Sequence, residues 1–386
     1  MTDTVFILGA GFSFDASIPL LANFIERMIL IDAGRDNEVG KLEVNDAALF
    51  AKALDIRGSM DGYHGRISFD DRNIEDILSM LAFNVMGGGN RGKANLDAFT
   101  KAISRTIELT CSVKHPGPPD KRSAQFSIVE DGPAIYRNFW LGLFKAYEQG
   151  MQLPSLVTFN YDLVLERSLF QVLIGTNYST NGERCPFGNF KLNYAYKNAP
   201  DFIGLIEPCS YMGRNFETIY GTVVRPESRE LNIDLNIDLL KLHGSLNFTA
   251  PRSKELITNP CKAVVDPYIL PPISNKTASR AGETMWQQAL GKLRNAKNVV
   301  FVGYSLPVTD SYMQFFIKAA LGPNRGLEKI VVVDPVLDWN PDEGKAMRLR
   351  YEGCFSEQMR KRLHFQSMTT SQFIRDLRDK PNKYIY

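Results

Sequence analysis

The residues with most chemical potential in this chain stand in short polar or glycine segments, each placed directly after an apolar run. Gly9-Ala10-Gly11-Phe12-Ser13 follows Thr4–Leu8, and Thr158-Phe159-Asn160-Tyr161-Asp162 closes Ser155–Thr158. His243-Gly244-Ser245 follows 239–242, Gly303-Tyr304-Ser305-Leu306-Pro307 follows Asn298–Val302, and Asp334-Pro335 follows Lys329–Val333. Glycine lets a backbone turn tightly against a pyrophosphate, whose charge is favoured at a helix N-terminus. A Gly-x-Gly pair serves equally as a structural turn, and Phe14 stands where the dehydrogenase fingerprint has its third glycine. Asn160 and Asp162 are types that cap a helix, which taken alone is the plainer reading. Histidine as a type titrates near neutrality, as a general base needs, and Gly244 leaves space beside His243; a lone histidine also serves packing. Gly303 and Ser305 suit a phosphate or ribose and Asp334 suits ribose hydroxyls, though each also suits an ordinary loop. Their weight comes from coinciding at five strand ends.

The positioning elements follow from periodicity. Short continuous apolar runs bounded by turns read as strands buried on both faces. The chain starts strand, glycine loop, helix, the helix beginning near Ser17 as cap with Pro19 in its first turn. From 34 to 150 the alternation lapses: 73–81, 96–109 and 135–147 are amphipathic, with loops at Gly87-Gly88-Gly89 and 115–121. A strand at Ser155–Thr158 precedes a helix over 163–173, and 177–233 reads as irregular. Helices over 283–295, 310–321 and 343–361 precede strands Asn298–Val302, Lys329–Val333 and Leu363–Gln366, and a helix over 371–379 ends the series. Strands separated by helices predict an α/β fold, a doubly wound, mainly parallel Rossmann-like sheet. The expected division is a discontinuous sheet domain, 1–33 and 151–386, with a helical insertion at 34–150.

Composition excludes several classes. With 44% hydrophobic and 23% charged residues, the 386-residue chain is globular, and 45 basic against 43 acidic residues leave a net charge of +2. That balance predicts no direct nucleic-acid binding. No stretch reads as a signal peptide or membrane span. Cys111, Cys185, Cys209, Cys261 and Cys354 are an odd, scattered set without a Cys-x-x-Cys pair, and His64, His115, His243 and His364 are isolated. Free thiols, a cytoplasmic location and no metal are expected.

Taken in order, these segments resemble the sirtuins. Gly9-Ala10-Gly11-Phe12-Ser13 with Ala16-Ser17-Ile18-Pro19 is similar to their first loop, Thr158-x-Asn160-x-Asp162 to their Thr-Gln-Asn-Ile-Asp segment, His243-Gly244 to their catalytic His-Gly, and Gly303-Tyr304-Ser305-Leu306 to their Gly-Thr-Ser-Leu turn. The resemblance implies a sirtuin-type sheet that binds NAD⁺. His243 would be the general base, Asn160 would orient ribose and water, and Asp162 would hold the nicotinamide carboxamide. Gly9, Ala10, Gly11, Ser13, Gly303 and Ser305 would cradle the phosphates, with Asp334 near the adenosine ribose. Protein-deacylating sirtuins carry a four-cysteine zinc module that this chain lacks; they have an acidic residue, Phe and Arg where Leu20-Leu21-Ala22 stands, and Gln at Phe159. The pattern is closer to sirtuin-like NAD⁺ hydrolases of bacterial anti-phage defence, which implies an NAD⁺ glycohydrolase consuming NAD⁺ as substrate, a homo-oligomer, and a HerA-type ATPase (helicase) as partner. The alternatives are a non-catalytic NAD⁺ or ADP-ribose sensor and, less favoured, a protein deacylase.

Overall fold

The computed structural model describes residues 3–63, 66–67, 70–87, 90–114, 133–175, 189–196, 198, 202–211, 214–223, 235–251, 253, 259–270, 283–308 and 311–386. The 115–121 loop, His64, His115, Cys185, Gly88 and Gly89, which drew comment in the sequence, lie outside these residues, as does the side chain of Cys209.

In chain order the elements are β1 (Thr4–Leu8), a 3₁₀ turn (Ala10–Ala16), α1 (Phe24–Asp32), α2 (Val44–Gly58), α3 (Ile74–Met86), α4 (Asn90–Thr110), α5 (Ile135–Glu148), β2 (Ser155–Thr158), α6 (Val164–Gly175), β3 (Asn189–Asn193), β4 (Phe202–Tyr211), β5 (Arg214–Val223) and β6 (Leu235–Lys241). There follow α7 (Glu283–Asn295), β7 (Asn298–Val302), α8 (Ser311–Leu321), β8 (Lys329–Val333), α9 (Val336–Trp339), α10 (Pro341–Glu352), α11 (Glu357–Arg360), β9 (Leu363–Gln366) and α12 (Thr370–Asp379). One nine-stranded sheet has the order β5-β4-β3-β6-β2-β1-β7-β8-β9. From β3 to β9 every pairing is parallel, and β4–β5 is an antiparallel hairpin on the β3 edge. The doubly wound, mainly parallel sheet expected from the sequence is present.

The chain crosses β1 to build both halves: β2, β6 and β3 lie on one side of it, β7, β8 and β9 on the other. Such a reversal opens a crevice at the carboxyl ends of the strands. β1, β2 and β7 are buried along their whole length, which is why they read as unbroken apolar runs. Because side chains alternate, one face of the sheet meets one helical layer and the other face meets another. Phe6 packs on Phe139 of α5 and Phe373 of α12, at ring distances of 6.3 and 6.0 Å. Phe301 packs on Tyr351 of α10 at 5.1 Å.

Within 34–150 the described residues form α2 to α5. α2 and α4 are joined by a bidentate pair from Arg105 to Asp46 at 2.8 and 2.7 Å. Arg167 of α6 ties α4 to the sheet layer through Glu108, at 2.7 and 2.8 Å. α5 lies with α6 and α12 in the helical layer that Phe6 faces: Trp140 donates Nε1 to the Leu165 carbonyl at 3.0 Å, and Lys145 Nζ to that of Arg378 at 3.1 Å. The aromatic run of α5 is what fills that layer.

Several local expectations need correction. Ser17 does not start a helix. It ends the 3₁₀ turn in the left-handed region, at φ 63°, and α1 begins seven residues later, beyond Pro19. The stretch 177–233 is not all irregular, since it contains β3, β4 and β5. The helix expected over 343–361 is broken into α10 and α11, where Gly353 caps one and the Ser356 side chain caps the other.

Phe139 is fully buried at the junction of α5, β1 and the 3₁₀ turn, 5.2 Å from Phe12 and 5.6 Å from Trp140. Phe139→Ala is expected to cost about 3–5 kcal/mol, read as a lowered denaturant midpoint at unchanged slope.

Candidate functional site

The glycine turns after β1 and β7 interlock. Gly9 N–H donates to the Val302 carbonyl at 3.0 Å and Gly11 N–H to that of Gly303 at 2.9 Å, while Gly303 N–H donates to the Val333 carbonyl at 3.0 Å. A Cβ on Gly9 would lie 2.4 Å from the Gly303 oxygen; one on Gly303, whose φ is +60°, would lie 2.3 Å from the Phe12 nitrogen. No side chain fits at either place, so these glycines are required by contact of backbone with backbone. The first turn is then held from every side. The Tyr136 hydroxyl of α5 donates to the Phe12 carbonyl at 2.9 Å, Thr370 Oγ1 of α12 to the Gly11 carbonyl at 2.9 Å, and Ser371 Oγ to Asp15 Oδ2 at 2.5 Å.

Asn160 completes the clamp. Its Nδ2 donates to the Gly9 carbonyl and to Ser13 Oγ, both at 2.9 Å, and its own N–H donates to Thr158 Oγ1 at 3.1 Å. Asp162 is 6% exposed, and its Oδ1 accepts the Val164 N–H at 3.0 Å at the start of α6. The capping role read from the residue type is therefore real for Asp162, whereas Asn160 braces the glycine turn.

His243 sits after β6, which pairs with β2 so that Lys241 faces Thr158. Gly244 (φ +88°) turns the chain beneath the 268–269 segment, where an added Cβ would lie 2.2 Å from the Tyr268 oxygen. The imidazole is 5% exposed and boxed by the rings of Phe159 at 5.1 Å and of Tyr161 and Trp286 at 6.4 Å. A position at a strand end suggests an open histidine; this aromatic wall makes it a buried one.

A cavity of about 710 Å³ runs along these strand ends. Ala10, Gly11, Ser13, Asn160, Asp162, His243, Gly303, Ser305 and Asp334 all line it. Gly9 alone of the anticipated residues does not, being packed behind against Gly303.

The sequence reading missed several members. Asp15, Glu75, Trp339, Glu343 and Thr370 also line the cavity, as do Ile74, Ile103 and Ile107 from α3 and α4. Glu75 follows Asn73, whose side chain caps α3 by accepting the Glu75 N–H at 2.9 Å. That Asn-x-Glu start is visible in the sequence, but nothing local says which wall it faces. The described lining holds five carboxylates (Asp15, Glu75, Asp162, Asp334, Glu343) and neither Lys nor Arg. Arg350 stands one layer behind, donating to the Ser305 carbonyl at 3.2 and 3.1 Å and to Glu343 at 2.6 Å. Such a lining favours a ligand with a cationic centre, and asks hydroxyls and backbone to hold any phosphate.

Away from the cavity, Cys111 and Cys261 are buried free thiols, and burial pushes Cys111 up to about 12. Among the described residues no helix is long and apolar enough to cross a membrane.

No family model matches the chain, and no curated protein does. Among solved structures, one described as Sir2 with a p53 peptide and NAD⁺ aligns over 98% of this chain and 93% of that chain, at 11% identity and a TM-score of 0.38. A Sir2 homologue in complex with NAD aligns over 98% and 89%, at 12% identity and 0.38. Sir2 bound to an acetylated peptide aligns over 98% and 93%, at 12% identity and 0.32. These are distant likenesses.

Burial holds the Asp334 carboxyl above the ordinary carboxylate range, against the pull of the Val336 N–H and of Arg350. The folded protein therefore binds that proton more tightly than the unfolded chain, and stability falls as pH rises from the ordinary carboxylate range through the raised value. Asp334→Asn, which keeps an acceptor for Val336, is expected to be more stable than the wild type at pH 7. The gain should vanish by about pH 4, as urea titrations at the two pH values will show.

Proposed function

We propose that the chain is an NAD⁺ glycohydrolase that cleaves NAD⁺ to nicotinamide and ADP-ribose. The observation that carries this reading is convergence: Asn160, Asp162 and His243, from two adjacent strand ends, line one cavity with the glycine turns and with Asp334. In cleavage the electron pair of the C1′–N bond goes to nicotinamide, which leaves as a neutral ring. Positive charge passes to the ribose as an oxocarbenium-like centre. Water adds at C1′, and His243 accepts the proton it loses. Carboxylates fixed around the cavity stabilise that charge before and during its migration. Because both Nδ2 protons of Asn160 are engaged by Gly9 and Ser13, Oδ1 is the atom it offers to orient water or a ribose hydroxyl. Asp162 is suited to accept from the nicotinamide carboxamide. At the other end, Asp334 and Glu343 suit the adenosine ribose, and the 73% exposed Trp339 offers a face for the adenine. Ser13, Ser305 and Thr369 supply hydroxyls between them for the diphosphate.

His243→Ala and Asn160→Ala are each expected to lower nicotinamide release by about 10²–10⁴-fold. Wild-type release from either variant would remove its assigned role. A wild-type protein that binds ADP-ribose and releases no nicotinamide would be the sensor instead.

The same reading extends to control. An NAD⁺ hydrolase drains the cell that holds it, which suits abortive antiviral defence and requires a weakly active resting form. Val44 of α2 and Phe83 and Met86 of α3 are 86%, 68% and 73% exposed, apolar surface of the kind that subunits cover. The proposal is a homo-oligomer built through 34–150, activated by a second protein of the HerA-type ATPase class. Light scattering on the isolated chain, with NAD⁺ turnover measured on the same sample, tests it: a fully active monomer would end the proposal.

A further inference from the structure

Under the cavity wall lies an ion pair that the reaction above does not use. Lys241, the last residue of β6, has a side chain 1% exposed. Its Nζ donates to Glu166 Oε1 at 2.9 Å and to the backbone carbonyl of Asp162. Glu166 lies in the first turn of α6, and its Oε1 also accepts the Tyr194 hydroxyl at 3.2 Å. Tyr194 in turn accepts from Asn247 Nδ2 at 3.1 Å. Glu166 Oε2 is buried with no hydrogen-bond partner among the described residues.

As a stabilising device this pair is poorly made. Two charges have been taken out of water, one carboxylate oxygen is left unsatisfied, and apolar side chains of similar volume generally do as well or better in such places. Its geometry serves something else. One ammonium group grips the carbonyl of Asp162, whose side chain lines the cavity, and also the first turn of α6, which Asp162 caps. The same lysine stands two residues before His243 on a strand held to β2, with Leu242 N–H donating to the Thr158 carbonyl at 2.9 Å. Lys241 therefore links the two segments that carry the reacting side chains.

We infer that Lys241 is a positioning residue which, braced by Glu166, sets Asp162 against His243 across the cavity. For what those two residues act on, this rests on the NAD⁺ reading. Lys241→Met alone would strand the Glu166 charge in the core, so the decisive variant is Lys241→Met with Glu166→Leu, which removes both charges. If the pair positions the site, the double variant melts at or above the wild-type temperature and binds ADP-ribose as the wild type does. Its kcat for nicotinamide release falls by about 10²-fold, the scale of an ångström's misplacement. A folded double variant with wild-type kcat overturns the inference. So does one in which ADP-ribose affinity and kcat fall together, which is general damage. A wild type that neither binds nor cleaves NAD⁺ sinks the NAD⁺ reading separately. The crystal structure of the double variant then decides on Lys241, since an unmoved Asp162 overturns its role.

Discussion

Everything at the site depends on one close approach of backbone to backbone, where the turn after β1 lies against the turn after β7. With Gly9, Gly11 and Gly303 in contact, the amide of each donates to a carbonyl at the end of a neighbouring strand. The usual account of a Gly-x-Gly loop is that it leaves amides facing a phosphate. Here the amides of Gly9 and Gly11 are already bonded within the protein, so the glycines act one step earlier. They let two strand-end turns merge into a single rigid floor, and the groups facing a ligand are the hydroxyls and side chains mounted on it. Ser13, Asn160 and Ser305 are positioned by that floor, and α5, α12 and β2 all hydrogen-bond to it.

The second constraint is that the cavity has walls from two sources. Strand ends give the floor, while α1, α3 and α4 give the apolar side through Phe24, Ile74, Ile103 and Ile107, with Glu75 among them. Those helices share one continuous hydrophobic core with the sheet. Any partner that shifts α3 or α4 thereby moves a wall of the cavity without touching the strand ends. The Arg167–Glu108 pair, with Arg167 buried, is one hydrogen-bonded joint between the two parts.

How much was legible in the sequence follows from how local each feature is. β1, β2, β7 and β8 were readable to the residue, because a short parallel strand buried between two neighbours is apolar almost throughout and must stop at a turn, whereas β9, a half-buried edge strand, was readable from the regular alternation of helices and strands around it. The residues just beyond those strands were readable for the same reason. β3 to β5 were not, since their stretch is interrupted by Gly, Pro and Asn and shows no clean period. Ser17 was misread because its type suits a cap, while its actual place, a left-handed residue ending a 3₁₀ turn, leaves no periodic trace. Glu75, Trp339 and Glu343 were missed as site residues because nothing local says which wall a helical side chain faces. Only the packing of α3, α9 and α10 over the strand ends brings them there.

The charge pattern connects floor and walls. Carboxylates placed in a partly buried cleft would protonate if left to burial alone, as the raised Asp334 shows. Each of four has a fixed donor: the Val164 amide for Asp162, the Val336 amide for Asp334, Ser371 for Asp15 and Arg350 for Glu343. These donors hold the carboxylates in place, and the described lining of the cavity carries neither lysine nor arginine. The result is a cleft whose negative potential is built into helix starts and second-layer side chains. It is in place before any cationic group arrives. A reaction that carries positive charge from a ring nitrogen to a sugar carbon needs little more of its surroundings than that they not have to reorganise.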